Sequence, residues 1–150
     1  MTITSPSPHD VFTAIQTLAQ TVPSFGTRAA VGKFPDGIVL AGGYVLPYCV
    51  IWPTPGGAYD PHPSVAGGTY AGGQEFRFMT TVSGADPLAV IGASGELKAV
   101  FTNAPMGDGT IRPVPEQQRA ATVAKDPDST PPRFGVALAW TVTTTRNPEQ

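Results

Sequence analysis

Few residues in this chain are equipped for covalent or coordination chemistry. It contains one cysteine, Cys49, and two histidines, His9 and His62. A nucleophilic cysteine needs a lowered pKa, usually supplied by a histidine or a helix N-terminus. Cys49 lies inside the apolar run Tyr48-Cys49-Val50-Ile51-Trp52. Cysteine is among the most buried residue types, so a core position is expected. His62 falls in a Gly/Pro-rich arm and His9 in the first turn of an expected helix, with no sequence reason for either to meet Cys49. One cysteine and two histidines do not make a zinc motif. Asp126 and Asp128 in "DPDST" resemble the start of a calcium loop, but no glycine or bidentate glutamate follows at the required spacing, and a solvated turn is expected. Gly67-Gly68, Gly72-Gly73 and Gly92-Ala-Ser-Gly95 match no phosphate-binding loop. Glu75 and Glu96 belong to strand and helix patterns and are expected at the surface. The residues predict no catalytic site, no metal and no cofactor.

Composition narrows the partners. The 150 residues suit one domain, and an apolar fraction of 41% suffices for a core. Charged residues make up only 13%, and nine Lys/Arg are scattered singly in a chain of net charge -2. A protein that grips phosphates needs a basic patch, so specific nucleic-acid binding is not expected. A single cysteine excludes an intrachain disulfide. The first ten residues lack the basic and apolar regions of a secretory signal, and no apolar run approaches the roughly 20 residues of a membrane span. The expectation is a soluble chain made in the cytoplasm.

The elements follow from periodicity and punctuation. Residues 1–6 read as a flexible tail. Ser7 is a good N-cap and Pro8 suits the first helical position; Val11, Phe12, Ile15, Leu18, Ala19 and Val22 then recur at helical spacing, predicting a helix over 8–22. Between Arg28 and Val45, a turn at Pro35–Gly37 predicts a hairpin. Residues 48–52 read as a strand buried on both faces. Residues 53–73 have no period and hold six glycines and four prolines, predicting an extended arm. Residues 75–82 alternate as a strand, with Phe76, Phe78, Thr80 and Val82 on one face.

Asp86-Pro87 repeats the capped opening, and Val90, Ala93, Leu97 and Val100 predict a second helix over 87–103, its apolar stripe broadened by Leu88, Ile91 and Phe101. Gly92 and Gly95 each cost about 1 kcal/mol there against Ala, which predicts an irregular helix or a close neighbour. A turn at 107–109, a strand at 110–114, a loose segment over 115–133 with a short strand near 120–124, and a long strand over 134–145 complete the domain. Residues 147–150 read as a second tail. The fold class is α+β: a mainly antiparallel sheet with two helices on one face and long Gly/Pro-rich loops. Loops that long in a small domain favour contact with neighbours. The candidate contact residues are Tyr59, His62 and Tyr70 in the arm, with Arg77, Arg112 and Arg133.

The order of these patterns resembles the tail terminator proteins of long-tailed, siphovirus-type bacteriophages, especially those of actinobacteria. Three pieces carry the resemblance. The capped helix at Pro8 leads to "LPYCVIWP" at 46–53. "EFRFMTTVSG" at 75–84 feeds the helix after Asp86. "DPDSTPPRFGVALAWTVTTT" at 126–145 ends in the closing strand. The resemblance implies a structural virion protein of the tail and neck, not an enzyme. It implies a hexameric ring that caps the tail tube, stops its polymerisation and joins a head-completion or connector protein. DNA would pass through the lumen without specific binding. Two other classes stay open on the residues: another neck or minor tail protein such as a head-closure protein, and a small cysteine enzyme or ligand-binding module.

Overall fold

A computed structural model describes residues 6–40, 42–58 and 73–148. It is an α+β domain whose strands run in the order β1 (Ala29–Val31), β2 (Tyr48–Trp52), β4 (Gln74–Gly84), β8 (Phe134–Thr144), β6 (Gly109–Pro113) and β5 (Pro105–Met106). Two-residue strands flank this path: β3 (Gly57–Ala58) on β4 and β7 (Ala124–Lys125) on β8. Only β1 and β2 are parallel; the other ladders are antiparallel. The two 11-residue strands β4 and β8 pair along their full length, from Gln74↔Thr144 to Gly84↔Phe134. Both alternate as their sequences predict, and their buried side chains join one core with Val11, Phe12 and Ile15 of the first helix and Val90, Leu97 and Phe101 of the second.

The first helix, α1 (Pro8–Ala19), starts where its cap predicts, with Ser7 Oγ accepting from the Asp10 amide. It ends three residues earlier than expected. Val22 and Phe25 are still fully buried, but they are reached through successive tight turns closed by Val22 N–H to Ala19 O and Phe25 N–H to Val22 O. Pro23 accounts for the change: it has no N–H to donate and disfavours helical backbone at the residue before it. The second helix, α2 (Pro87–Phe101), is capped by Asp86 and ends before Asn103, which has a positive φ of 63°. Both helices pack on the same face of the sheet. Their rings interlock edge to face, Phe12 against Phe76 and Phe78, and Phe101 against Trp140 at 5.3 Å. The Trp140 indole donates to Thr80 Oγ1 at 3.0 Å in the dry interior, so its one polar atom is satisfied.

Three local expectations are corrected. The chain turns at Asp36–Gly37 as expected, but no strands pair across that turn among the described residues. The chain folds back further on, with Val39 bridged to Val45 and the Leu40 amide donating to Tyr44 O. Gly42 and Gly43, both at positive φ, take the turn that other residues adopt only with strain. The short strand expected near 120–124 is the two-residue β7 at Ala124–Lys125, and the stretch before it, expected to be loose, forms a short helix, α3 (Pro115–Ala120). Pro115 pre-sets the first helical φ, and Glu-Gln-Gln-Arg are good helix formers. The strand at 48–52 is buried over its first four residues only; Trp52 is exposed.

The two ends of the described chain meet, because the Ser7 amide donates to Asn147 Oδ1 at 2.6 Å. The turn at Gly107–Gly109 is pinned to the end of β8. Asp108 accepts from Thr144 Oγ1 and from the amide and hydroxyl of Thr145, and a Cβ on Gly109 would collide with the Thr143 carbonyl. No helix is long and apolar enough to cross a membrane among the described residues.

Candidate functional site

Cys49 is in the main core and fully buried. Desolvation pushes its thiol up to about 12, opposite to what a nucleophile needs. His9 is exposed on α1 beside Asp10, and His62 lies outside the described residues. Asp126 and Asp128 sit in an exposed turn in which the Asp128 amide donates to Asp126 Oδ1. Among the described residues no cluster of His, Cys, Asp and Glu could hold a metal ion. Glu75 pairs with Arg77. Glu96 is less exposed than expected: its carboxylate accepts from the amide and hydroxyl of Ser24, tying α2 to the turns after α1.

The features that call for explanation are apolar and exposed. Trp52 and Met79 are directly opposite in the β2–β4 ladder and are 46% and 44% exposed. They stand on the face of the sheet away from α1 and α2. The indole is held in place by donating to Thr81 Oγ1 at 2.9 Å. One row along, Arg77 on β4 and Arg112 on β6 both pair with Thr141 on β8. Register therefore sets the two arginines on either side of one threonine. Arg77 is occupied by Glu75 at 2.6 Å, which raises its pKa through the hydrogen bond and the neighbouring negative charge. Arg112 is exposed and has no ion-pair partner among the described residues. Between these side chains run two open grooves. One, of about 340 Å³, lies along Trp52, Met79, Gln117 and Ala139. The other, of about 220 Å³, lies along Thr110, Arg112, Thr141 and Thr143.

The hairpin tip extends this apolar surface. Ile38 and Val45 anchor it on Tyr48 and Val50 in a small second core, while Phe34, Val39, Leu40 and Tyr44 remain exposed. Arg133 belongs here rather than with the other two arginines. Its guanidinium stacks against Phe34 and Tyr48 and donates to the Tyr48 hydroxyl at 3.2 Å. It thereby clamps the segment before β8 to the hairpin. Tyr59, His62 and Tyr70, together with the bulk of the 53–73 arm, lie outside the described residues.

A second exposed surface is on α2. Leu88 and Ile91 were expected to broaden the buried stripe, yet they are 75% and 53% exposed. They follow Asp86 on the side of the helix opposite Val90, Ala93 and Leu97. Gly92 and Gly95 are on the same outward side, and a Cβ on either would meet nothing within 4 Å. The helix is regular through both glycines, and no neighbour among the described residues explains them. The signal was present in the sequence: apart from Glu96 and Lys98, α2 is uncharged all round, the pattern of a helix covered on every side.

Among the described residues, both ends of the strand order are partly shielded from strand pairing. Two of the outward backbone groups of β1 are taken by α1 side chains, with the Val31 amide donating to Gln16 Oε1 and Gln20 Nε2 donating to Ala29 O. At the other end, Ile111 exchanges hydrogen bonds with Asn103 and Ala104, and β5 contains Pro105. Shielding of this kind disfavours growth by strand addition. No protein-family model matches the chain, and no curated protein matches its sequence.

Proposed function

We propose that this protein is a structural subunit of a phage-type tail and neck, a tail terminator that assembles as a hexameric ring. One observation carries the proposal. The chain keeps large apolar side chains exposed on both of its layers, Trp52 and Met79 on the sheet and Leu88 and Ile91 on α2. Isolated exposed apolar residues are ordinary, but grouped ones mark contact surfaces. Two different surfaces on opposite sides of one chain suit head-to-tail contacts, which close into rings. The burial of Cys49 is consistent with this role.

The segments that carry the sequence resemblance form α1, β2, β4, α2 and β8, the framework of the domain. On this proposal the ring caps the tail tube protein, binds a head-completion or connector protein, and lets DNA pass through a lumen that does not grip it. Electron microscopy of the purified protein, alone and mixed with tube protein, should show rings or capped tubes. A protein that stays monomeric at all concentrations and never associates with tubes refutes the proposal. Deletion from a phage separates terminator from head-closure protein: loss of a terminator gives overlong tails or tails unable to join heads, whereas loss of a head-closure protein leaves free tails of normal length. The arm has its own test. Replacing 60–71 with a Gly/Ser linker, which spares β3, should abolish rings while leaving the unfolding midpoint within the error of the parent; normal rings would show that the arm makes no contact.

A further inference from the structure

We propose that copies of this chain associate head to tail, with the outward face of α2 in one copy seated on the outer face of the sheet in the next. This assignment rests on the ring-subunit proposal above and names the surfaces that meet. The occupant of each surface is a second copy of this chain.

Strand addition is a common way for a β-rich chain to self-associate, and here both ends of the strand order are partly shielded from it. Gln16 and Gln20 take the outward Val31 N–H and Ala29 C=O of β1, and the Pro105-containing β5 pairs with Gly109 and Thr110 at the start of β6. Contact between copies is therefore expected to use faces. The two apolar faces are on opposite layers, so one copy can offer α2 while receiving its neighbour on the sheet. They also differ in relief. The sheet presents Trp52 and Met79 as large side chains standing above exposed Ala137 and half-exposed Thr81. Beside Leu88 and Ile91, α2 presents Gly92 and Gly95, where open space lies directly against the helix backbone. Large side chains on one surface thus meet small residues on the other, which allows the close packing of an interface core.

Charge supports the same pairing. Exposed Asp86 begins α2 and exposed Lys98 lies near its far end, so the Asp86 end is the one that suits Arg112, which has no ion-pair partner among the described residues. Trp, Met and Arg are also the residue types enriched where interfaces concentrate their energy.

The test uses one substitution per face in the full chain, followed by sedimentation velocity. Ile91→Glu disables the α2 face and Met79→Glu the sheet face. Each variant alone lacks one half of every contact. Each should remain monomeric at concentrations where the parent assembles, its association weakened roughly thirty-fold or more. Mixed together, the two retain one good α2 face and one good sheet face, and should form a 1:1 dimer that grows no further. Assembly of either single variant to the parent's size overturns the interface while leaving the ring proposal standing. So does a mixture that stays monomeric although both variants keep the parent's unfolding midpoint. A parent that is itself monomeric overturns both. Should a Glu variant lose its fold, Gly95→Ala decides, because it favours the helix: weakened association supports the close approach, and unchanged association overturns it.

Discussion

Gly92 and Gly95 make the exposed face of α2 directly measurable in the isolated chain. Both lie inside a regular 15-residue helix, neither has positive φ, and an added Cβ would meet nothing within 4 Å at either position. Gly→Ala there introduces no clash and removes backbone freedom from the unfolded chain. Each substitution should stabilise the monomer by about 0.4–1 kcal/mol. Their sum is about 1–2 kcal/mol in the double variant, and because the two positions are one helical turn apart, a departure from that sum measures their coupling. For a chain of this size that sum corresponds to a rise in Tm of roughly 2–8 °C. The assay is urea unfolding of dilute protein, below the concentration at which it associates, with an unchanged m-value as the check that the two end states are the same. A neutral or destabilising result would refute the reasoning, since it would mean that this side of α2 is already packed against something in the isolated chain.

Cys49 should resist labelling. A thiol moved from 9.0 to about 12 has about 10³-fold less thiolate at neutral pH, so modification by a disulfide reagent should track unfolding of the whole domain; labelling within seconds in native buffer would overturn the buried assignment. Asp108 predicts a pH dependence. Hydrogen bonds from the Thr145 hydroxyl and amide, with that from Thr144, hold its carboxyl at about 2 instead of 3.8. Because the folded-state value is depressed, the contribution is full above the ordinary carboxylate range and is lost as pH falls through about 2. Asp108→Asn should therefore be less stable than the parent at pH 6, with the gap closing towards pH 2; a gap independent of pH would refute the assignment. Trp140→Phe strands Thr80 Oγ1 in the core and should cost roughly 1–3 kcal/mol for the unsatisfied hydroxyl. Thr80→Val in that background should recover part of the loss, and a purely additive double-mutant cycle would show that the hydrogen bond contributes nothing.

Much of the fold was legible in local pattern. Ser7-Pro8 and Asp86-Pro87 announced both long helices because N-caps and proline act within a few residues. The alternation in 75–82 and 134–145 assigned the faces of β4 and β8, because the side-chain period of a strand is independent of its partners. Cys49 was placed in the core by the character of its neighbours. What stayed hidden depends on residues distant in the chain. The hairpin formed at the Gly42-Gly43 region and not across the Pro35–Gly37 turn because Ile38 and Val45 needed Tyr48 and Val50 to cover. Periodicity could not show that Leu88 and Ile91 face outward, since α2 is apolar on all sides and only the position of the sheet selects which side is buried. Nor could spacing show that Arg77 and Arg112 flank Thr141 while Arg133 clamps Phe34 and Tyr48, because that grouping follows from strand order and register. Local chemistry thus specifies the elements and the core position of Cys49. Surfaces on which copies could meet arise only when the sheet has its order and each helix has chosen a side, because exposure is a property of the packed layers and not of any one segment.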